Sequence, residues 1–307
     1  MKLVTYNIRY GLGLDQCYDL ERIADAVHGA DIIALQEVER FWKRSGMVDQ
    51  PEVLGQLLKG YYWVYSPAFD MDASKIQKNG HILNRRRQFG TMLLSRWPII
   101  SSQMFVFPKI NTTENFNMDT GGIEGVIETP SGPIRVYSIH LSAMNTRERL
   151  LQIDSLLELH QSSIRRGGAW TGNCAYKDPI EHKIFIDGGW TNGNLQPVMP
   201  NDVIIMGDCN YEPETAEYCR FVGEIDPLCG RVIQSDLFVD SWTVAKKQIS
   251  ETAVSWWPDP PEREPGRGLR LDYCFLSPGF SSKVETVMLN HDAVGSDHKP
   301  YWVELSV

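Results

Sequence analysis

Apolar residues in this chain fall mostly into short runs that end in a polar residue, with few stretches at helical spacing. Leu3 to Ile8, Asp31 to Leu35, Tyr61 to Tyr65, Thr91 to Leu94 and Ser102 to Phe107 read as strands. Gly125 to Glu128 and Ile134 to Leu141 flank Pro130-Ser131-Gly132-Pro133, which predicts a hairpin turn. Val203 to Met206, Leu271 to Leu276, Lys283 to Leu289 and Tyr301 to Leu305 complete the strand pattern. Helical spacing marks Tyr18 to His28, where Leu20, Ile23, Ala24 and Val27 share a face and Gly29 is a stop. Pro51 to Leu58 predicts a short helix. Asn145 with Glu148 resembles a capping box opening a long helix to about Ile164, with Leu150, Ile153, Leu157 and Ile164 as its buried stripe.

Strands outnumber helices, and their spacing is too irregular for a simple alternating parallel sheet. The pattern predicts two sheets packed face to face with helices outside. No internal repeat and no Pro/Gly/Ser linker divides the 307 residues, so one domain spanning residues 1–307 is expected. Two segments read as loop excursions. Residues 167–201 are glycine-rich and carry Trp170, Tyr176, Phe185 and Trp190; residues 255–268 carry Trp256-Trp257 followed by four prolines. Long loops of this kind are often functional, as a flap or a substrate wall.

With 42% hydrophobic and 22% charged residues the chain has an ordinary globular balance. A net charge of -9 argues against a constitutive nucleic-acid-binding stripe, yet leaves room for an enzyme that reaches phosphates through a bound cation. There is no apolar stretch long enough for a membrane span and no secretory signal pattern at Met1-Lys2-Leu3-Val4-Thr5, so a cytoplasmic protein is expected. Cys17, Cys174, Cys209, Cys219, Cys229 and Cys274 form no C-x-x-C pair and no metal-ligand rhythm. Reduced thiols are expected, with a Cys219–Cys229 bridge as the alternative for an exported protein.

Chemistry-bearing residues stand where strands give way to loops. Asn7 ends the first strand, Glu37 follows Ile32-Ile33-Ala34-Leu35-Gln36, and His140 ends Val136-Tyr137-Ser138-Ile139. Asp208 and Asn210 follow Ile204-Ile205-Met206-Gly207, while Asp272 opens one late strand and Asp297-His298 precedes the last. On extended backbone alternate side chains share a face, so Asp208 is expected beside Asn210, and Arg9 beside Asn7. Gly207 is expected to let the chain bend and a ligand approach the backbone. Buried carboxylates must be paired, hydrated or metal-bound. Taken singly, Glu37 reads as a solvated loop acid, His140 as a satisfied histidine, and Asp208 and Asn210 as turn formers. Their joint placement at strand ends argues for a site.

Together Thr5-Tyr6-Asn7, Leu35-Gln36-Glu37, Ser138-Ile139-His140, Gly207-Asp208-Cys209-Asn210, Arg270-Leu271-Asp272-Tyr273 and Ser296-Asp297-His298 resemble the endonuclease/exonuclease/phosphatase superfamily, over residues 3 to 305. The resemblance implies a four-layered α/β sandwich of two mixed sheets with helices packed outside, and a site at one edge of the sheets. It implies hydrolysis of a phosphoester, a phosphodiester first, by in-line attack of water assisted by Mg²⁺ or Mn²⁺. Glu37 and Asp297, with Asn7, would hold the cation, since hard cations prefer oxygen ligands. By the same resemblance Asp208 would orient or deprotonate the water, and Asn210 would position it and the phosphate. Asp272 would hold His298 in its charged form, and His140 would stabilise the pentacovalent charge or protonate the leaving group. Asn7 and Arg9 would contact the phosphate.

Among the branches, abasic-site nucleases carry a tyrosine where this chain has His140, and 5-phosphatases a Pro-x-Trp-x-Asp-Arg signature where it reads Arg270-Leu271-Asp272-Tyr273. Deoxyribonuclease I and the sphingomyelinases share a histidine like His140. In the deoxyribonuclease it has a carboxylate partner on a strand before Thr91, where this chain reads Arg85-Arg86-Arg87-Gln88-Phe89-Gly90. That cluster, near Lys78 and His81, reads either as a solvated basic loop or as a collar for an anionic substrate. The expected substrate is a nucleic acid, a nucleotide or a phospholipid headgroup, with no obligate protein partner. The Trp-rich loops would stack a base, touch lipid, or belong to the core. The alternatives are a sphingomyelinase-like phospholipid hydrolase and a non-catalytic protein that binds a phosphate ligand.

Overall fold

Strict alternation of side chains along the strands builds the architecture. In the computed structural model, residues 1–172, 175–177, 180–181, 184–186, 189–245, 253–258 and 267–307 are described; Cys174 and parts of both loop excursions lie outside them. The strands of two six-stranded sheets are, in chain order, β1 (Lys2–Asn7), β2 (Ile32–Arg40), β3 (Tyr62–Asp72), β4 (Arg86–Ser95), β5 (Ile99–Val106), β6 (Gly121–Thr129), β7 (Gly132–His140), β8 (Val203–Asp208), β9 (Val239–Asp240), β10 (Asp272–Leu276), β11 (Val284–Leu289) and β12 (Tyr301–Leu305). The first sheet runs β11-β12-β1-β2-β4-β3 and the second β9-β10-β8-β7-β6-β5. Both are mixed: β1 pairs β2 in parallel and β12 antiparallel, while β8 pairs β7 in parallel and β10 antiparallel.

Leu3, Ile32, Ala34, Val136, Ile204, Met206, Cys274 and Leu276 come from both sheets and form one buried cluster between them. Their neighbours in sequence face outward. Val4, Tyr6, Ile33 and Leu35 pack with Ile23, Val27 and Leu54 of helices α1 (Leu20–Val27) and α2 (Gln50–Leu57). On the other side Tyr137, Ile139, Ile205 and Phe275 meet Ile153, Leu156, Leu157 and Phe221 of α3 (Thr146–Arg166) and α4 (Ala216–Val222). The result is a four-layered α/β sandwich, helix, sheet, sheet, helix, as the strand pattern predicts. The strands run longer than their apolar cores suggest, and α4, too short to show a period, was not legible. No helix among the described residues is long and apolar enough to cross a membrane.

Two local expectations change. Asn145 caps α3 by accepting the Glu148 N–H at 3.0 Å, but Glu148 does not return to the cap. Its carboxylate instead accepts from the Ile110 N–H and from Asn117 Nδ2, each at 2.7 Å, and so anchors the 110–120 loop. The buried stripe of α3 is Ile153, Leu156 and Leu157, each worth roughly 1.5–3 kcal/mol of burial, whereas Leu150 is only half-buried and Ile164 is exposed. Cys219 and Cys229 are both free thiols, so the alternative bridge does not form.

Candidate active site

Register places the polar strand ends in one row. Asp208, the last residue of β8, lies directly opposite His140 of β7 on one side and Asp272 of β10 on the other. Parity then decides the face: Ile204 and Met206 point between the sheets, so Asp208 does too. By the same rule Leu3 and Thr5 bring Asn7 to the inner face of the first sheet. The two ends meet, with Asn7 Nδ2 donating to Asp208 Oδ2 at 2.9 Å and to Glu37 Oε1 at 3.1 Å. One layer deeper, buried Thr5 Oγ1 and Gln36 Oε1 lie 3.2 Å apart and Gln36 Nε2 donates to Ser138 Oγ at 3.3 Å.

Like charges opposite each other on neighbouring strands repel, and the Asp208–Asp272 pair is compensated by His298. Its Nδ1 lies 2.8 Å from Asp272 Oδ2 and its Nε2 3.6 Å from Asp208 Oδ2. Burial alone would lower the imidazole pKa, but the charges of Asp272 and Asp208 outweigh it and hold it up to about 10. Burial raises the Asp208 carboxyl in turn, against the pull of His298, His140 and the Asn7 hydrogen bond. Asp208 Oδ1 accepts the Asn210 N–H at 2.9 Å, which leaves Oδ2 facing His140 Nε2 at 3.6 Å.

Glu37 reaches this row because the pairing of β2 with β4 is interrupted between Leu35 and Val38, and Glu37 takes a left-handed φ of 59°. A non-glycine residue held there at a bulge costs about 1–3 kcal/mol, and the bulge turns its carboxylate to within 4.0 Å of His140 Nε2. Asp297 arrives from the loop before β12. Its Oδ2 accepts from Trp256 Nε1 at 3.2 Å and lies 3.7 Å from Arg9 Nε, and its Oδ1 lies 3.3 Å from Ser296 Oγ. Segment 253–258 is stitched to this loop by Trp257 N–H to the Asp297 carbonyl and by Lys299 N–H to the Ser255 carbonyl. Ser255 Oγ in turn accepts the N–H groups of Leu271 and Asp272.

A cleft of about 640 Å³ opens over the row, lined by Arg9, Glu37, His140, Asp208, Asn210, Asp297 and His298 among others. Asn7 and Asp272 stand behind it, fully buried: the Asn7 amide is committed to the two carboxylates and, through Oδ1, to the Arg9 N–H at 3.0 Å. Arg9 and Asn210 reach the cleft by turns, with φ of 44° and 54°, and not by extended alternation. Asn210 Nδ2 donates to the Leu141 carbonyl at 2.9 Å. Gly207 serves a different purpose from the one expected: a Cβ there would lie 2.0 Å from the Ile139 carbonyl oxygen, so the glycine admits the neighbouring strand and not a ligand.

Sequence reasoning missed Tyr10, Arg44 and Phe89 and the segments 116–118 and 142–144, which also line the cleft. Arg44 is clamped by Glu39 at 2.9 Å and lies 3.9 Å from the Tyr10 ring, an arrangement no local spacing announces. Trp256 is a cleft residue, whereas Trp190 is exposed and outside it. Arg85, Arg86 and Arg87 do not line the cleft; Arg86 pairs with Asp70 at 2.9 Å on the paired strands β3 and β4. The Phe89 ring centroid lies 6.3 Å from that of His140, and the carboxylates beside His140 Nε2 are those of Asp208 and Glu37.

The donor set suits a hard cation. Carboxylates of Glu37 and Asp297 face the cleft, and Asp208, Asp272 and His298 each offer a ligand atom within 4.8 Å of one another. Asp272 Oδ1 is buried with no hydrogen-bond partner. Glu37 and Asp297 offer oxygen donors at the cleft, and His298 sits between the two buried acids, 2.8 Å from Asp272 and 3.6 Å from Asp208.

The family model described as Endonuclease/Exonuclease/phosphatase family matches residues 4–298. A search of curated proteins finds no match. Among solved structures, a family protein from Leptotrichia buccalis is 19% identical with a TM-score of 0.61, covering 100% of both chains. A mannosyl-6-phosphatase from Bacteroides thetaiotaomicron is 18% identical with a TM-score of 0.61, and a 3′-5′ exonuclease from Neisseria meningitidis 14% identical with a TM-score of 0.59, each again covering 100% of both chains. At these identities the likeness carries the fold.

Proposed function

Because this chain belongs to the endonuclease/exonuclease/phosphatase family, whose members hydrolyse phosphoester bonds, we propose that it is a divalent-metal-dependent phosphoester hydrolase acting on a phosphodiester. One observation carries the reading: Asp208 faces both histidines at 3.6 Å while its remaining oxygen and its orientation are fixed by backbone and Asn7. Such a carboxylate is aimed at a point in the cleft and cannot turn away.

A bound Mg²⁺ or Mn²⁺, held by Glu37 and Asp297, would offset charge on a phosphoryl oxygen and on the leaving oxygen. Asp208 takes the proton of the attacking water through Oδ2, and burial, by raising its pKa, makes it the better base. Asn210 fixes the Asp208 carboxylate through its backbone N–H. His298, kept protonated by Asp272, offers an N–H to a phosphoryl oxygen, and His140 serves the leaving-group side. Asn7 holds Glu37 and Asp208 apart at a fixed spacing, and Arg9 supplies a cation at the rim. The exposed free thiols of Cys17 and Cys229 support a reducing, cytoplasmic setting.

The test is cleavage of a chromogenic phosphodiester with Mg²⁺ or Mn²⁺, compared with the matching monoester. Activity that survives EDTA or Asp208→Ala would overturn the reading. Binding of phosphate without turnover would make the chain a binder.

A further inference from the structure

The sequence between residues 73 and 88 carries Lys75, Lys78, Arg85, Arg86 and Arg87 and no acidic residue, in a chain of net charge -9. Residues 73–85 form an arm beyond the paired strands β3 and β4, and Arg86, Arg87 and Gln88 open β4. Lys75–Ile76 pairs antiparallel with Ile82–Leu83, and the turn between them is closed by Gln77 N–H to the His81 carbonyl at 2.9 Å. Ser74 Oγ accepts the Arg85 N–H at 3.2 Å and donates to Asp72, tying the arm to its stem. The tip is therefore hydrogen-bonded structure.

Its side chains are arranged for something outside the molecule. Ile76 and Ile82 are direct cross-strand partners, so they share a face, and they are 80% and 55% exposed. Met71, opposite Arg87 on the stem, is exposed as well. Lys75 and Lys78 are exposed and make no ion pair among the described residues. Two exposed aliphatic side chains side by side, with those two lysines on the same short ribbon and its turn, give the tip both an apolar and a cationic component.

We propose that this arm docks on an anionic phospholipid surface, Ile76 and Ile82 entering the headgroup boundary and Lys75 and Lys78 meeting the lipid charge. Both halves of the tip fit that one occupant: apolar insertion and attraction to anionic lipid add. Single-stranded nucleic acid would use the cations but asks for aromatic platforms, and residues 73–88 contain no Phe, Tyr or Trp. A protein partner of ordinary size needs some hundreds of Å² per side, more than a two-residue ribbon and its turn present. The arm continues into Phe89, which lines the cleft, and no more than about 25 Å of chain separates Ile82 from it. Docking would hold the cleft close to the surface. The inference does not depend on what the cleft hydrolyses.

The experiment is co-sedimentation of the full chain with phosphatidylcholine vesicles, with and without phosphatidylserine, at low and high salt. Binding is expected only with phosphatidylserine and is weakened by salt. Ile76→Ser with Ile82→Ser, and separately Lys75→Glu with Lys78→Glu, should each lower partitioning by about tenfold or more. All four side chains are exposed, so melting temperature serves as the folding control. Equal binding to both vesicle types, no binding, or variants that bind like the parent would overturn the proposal. So would an oligonucleotide captured by the arm while vesicles are ignored.

Discussion

Asn7 and Asp208 belong to different sheets, and the 2.9 Å hydrogen bond from Asn7 Nδ2 to Asp208 Oδ2 joins those sheets where their strands end. The same amide nitrogen donates to Glu37 at 3.1 Å, so one neutral donor separates two carboxylates. Asn7→Asp replaces that donor with a third acid. The variant should lose about 2–4 kcal/mol of stability at neutral pH in the absence of metal, by urea unfolding, with part of the loss regained in acid. An unchanged midpoint would mean that the amide does not stabilise the two acids.

Asp208 is assigned the base. Asp208→Asn keeps its size and one of its two acceptor oxygens, so circular dichroism should still report a folded sandwich while kcat on a phosphodiester falls by about 10²–10⁴. A variant that retains most of its turnover would transfer the role elsewhere.

Cation affinity should depend on the tryptophan that hydrogen-bonds Asp297. Trp256→Phe keeps an aromatic ring and removes the N–H that Asp297 accepts at 3.2 Å. Calorimetric titration of Mg²⁺ should show binding weakened about tenfold, the usual penalty for losing an outer hydrogen bond to a ligand. Asp297→Asn should weaken it further. Equal affinity in the parent and Trp256→Phe would leave the indole a packing role only.

A pH effect is expected far from the cleft. His160 Nδ1 accepts from Arg135 Nη2 across 2.8 Å, and burial followed by the Arg135 charge pulls its pKa down from 6.5 to about 4. The folded chain therefore holds His160 neutral where the unfolded chain protonates it. Stability should be full above pH 6.5 and fall as pH drops toward 4, by on the order of 2 kcal/mol once partial exposure is allowed for. His160→Gln, which cannot titrate, should show a shallower decline of the urea midpoint over that interval. Parallel declines in the two proteins would refute the assignment.

The sandwich and the strand-end acids were legible because apolar runs that stop at a polar residue encode both a face and an end. Asn7, His140, Asp208 and Asp272 could be read that way, since all four sit on extended backbone with period two. What escaped depends on departures from that period or on distant chain. Glu37 turns into the cleft at a bulge, and Arg9 and Asn210 arrive through left-handed turns, so alternation put them in the right place for the wrong reason. Trp256 meets Asp297 across 41 residues, and the Glu39–Arg44 clamp looks in sequence like any solvated charge pair. Ile164 was placed in the core by helical spacing alone, but the last turn of α3 is exposed there.

The Thr5, Gln36 and Ser138 side chains beneath the acids are linked across the gap between the sheets. Oil-like contacts tolerate sliding, since one aliphatic neighbour replaces another at little loss, whereas these polar links have only one alignment that satisfies them. They act as a dowel between two plates. Substitutions that reshape the aliphatic interior can then accumulate without displacing the strand tips above, and the register of the polar row is guarded by residues one layer beneath it.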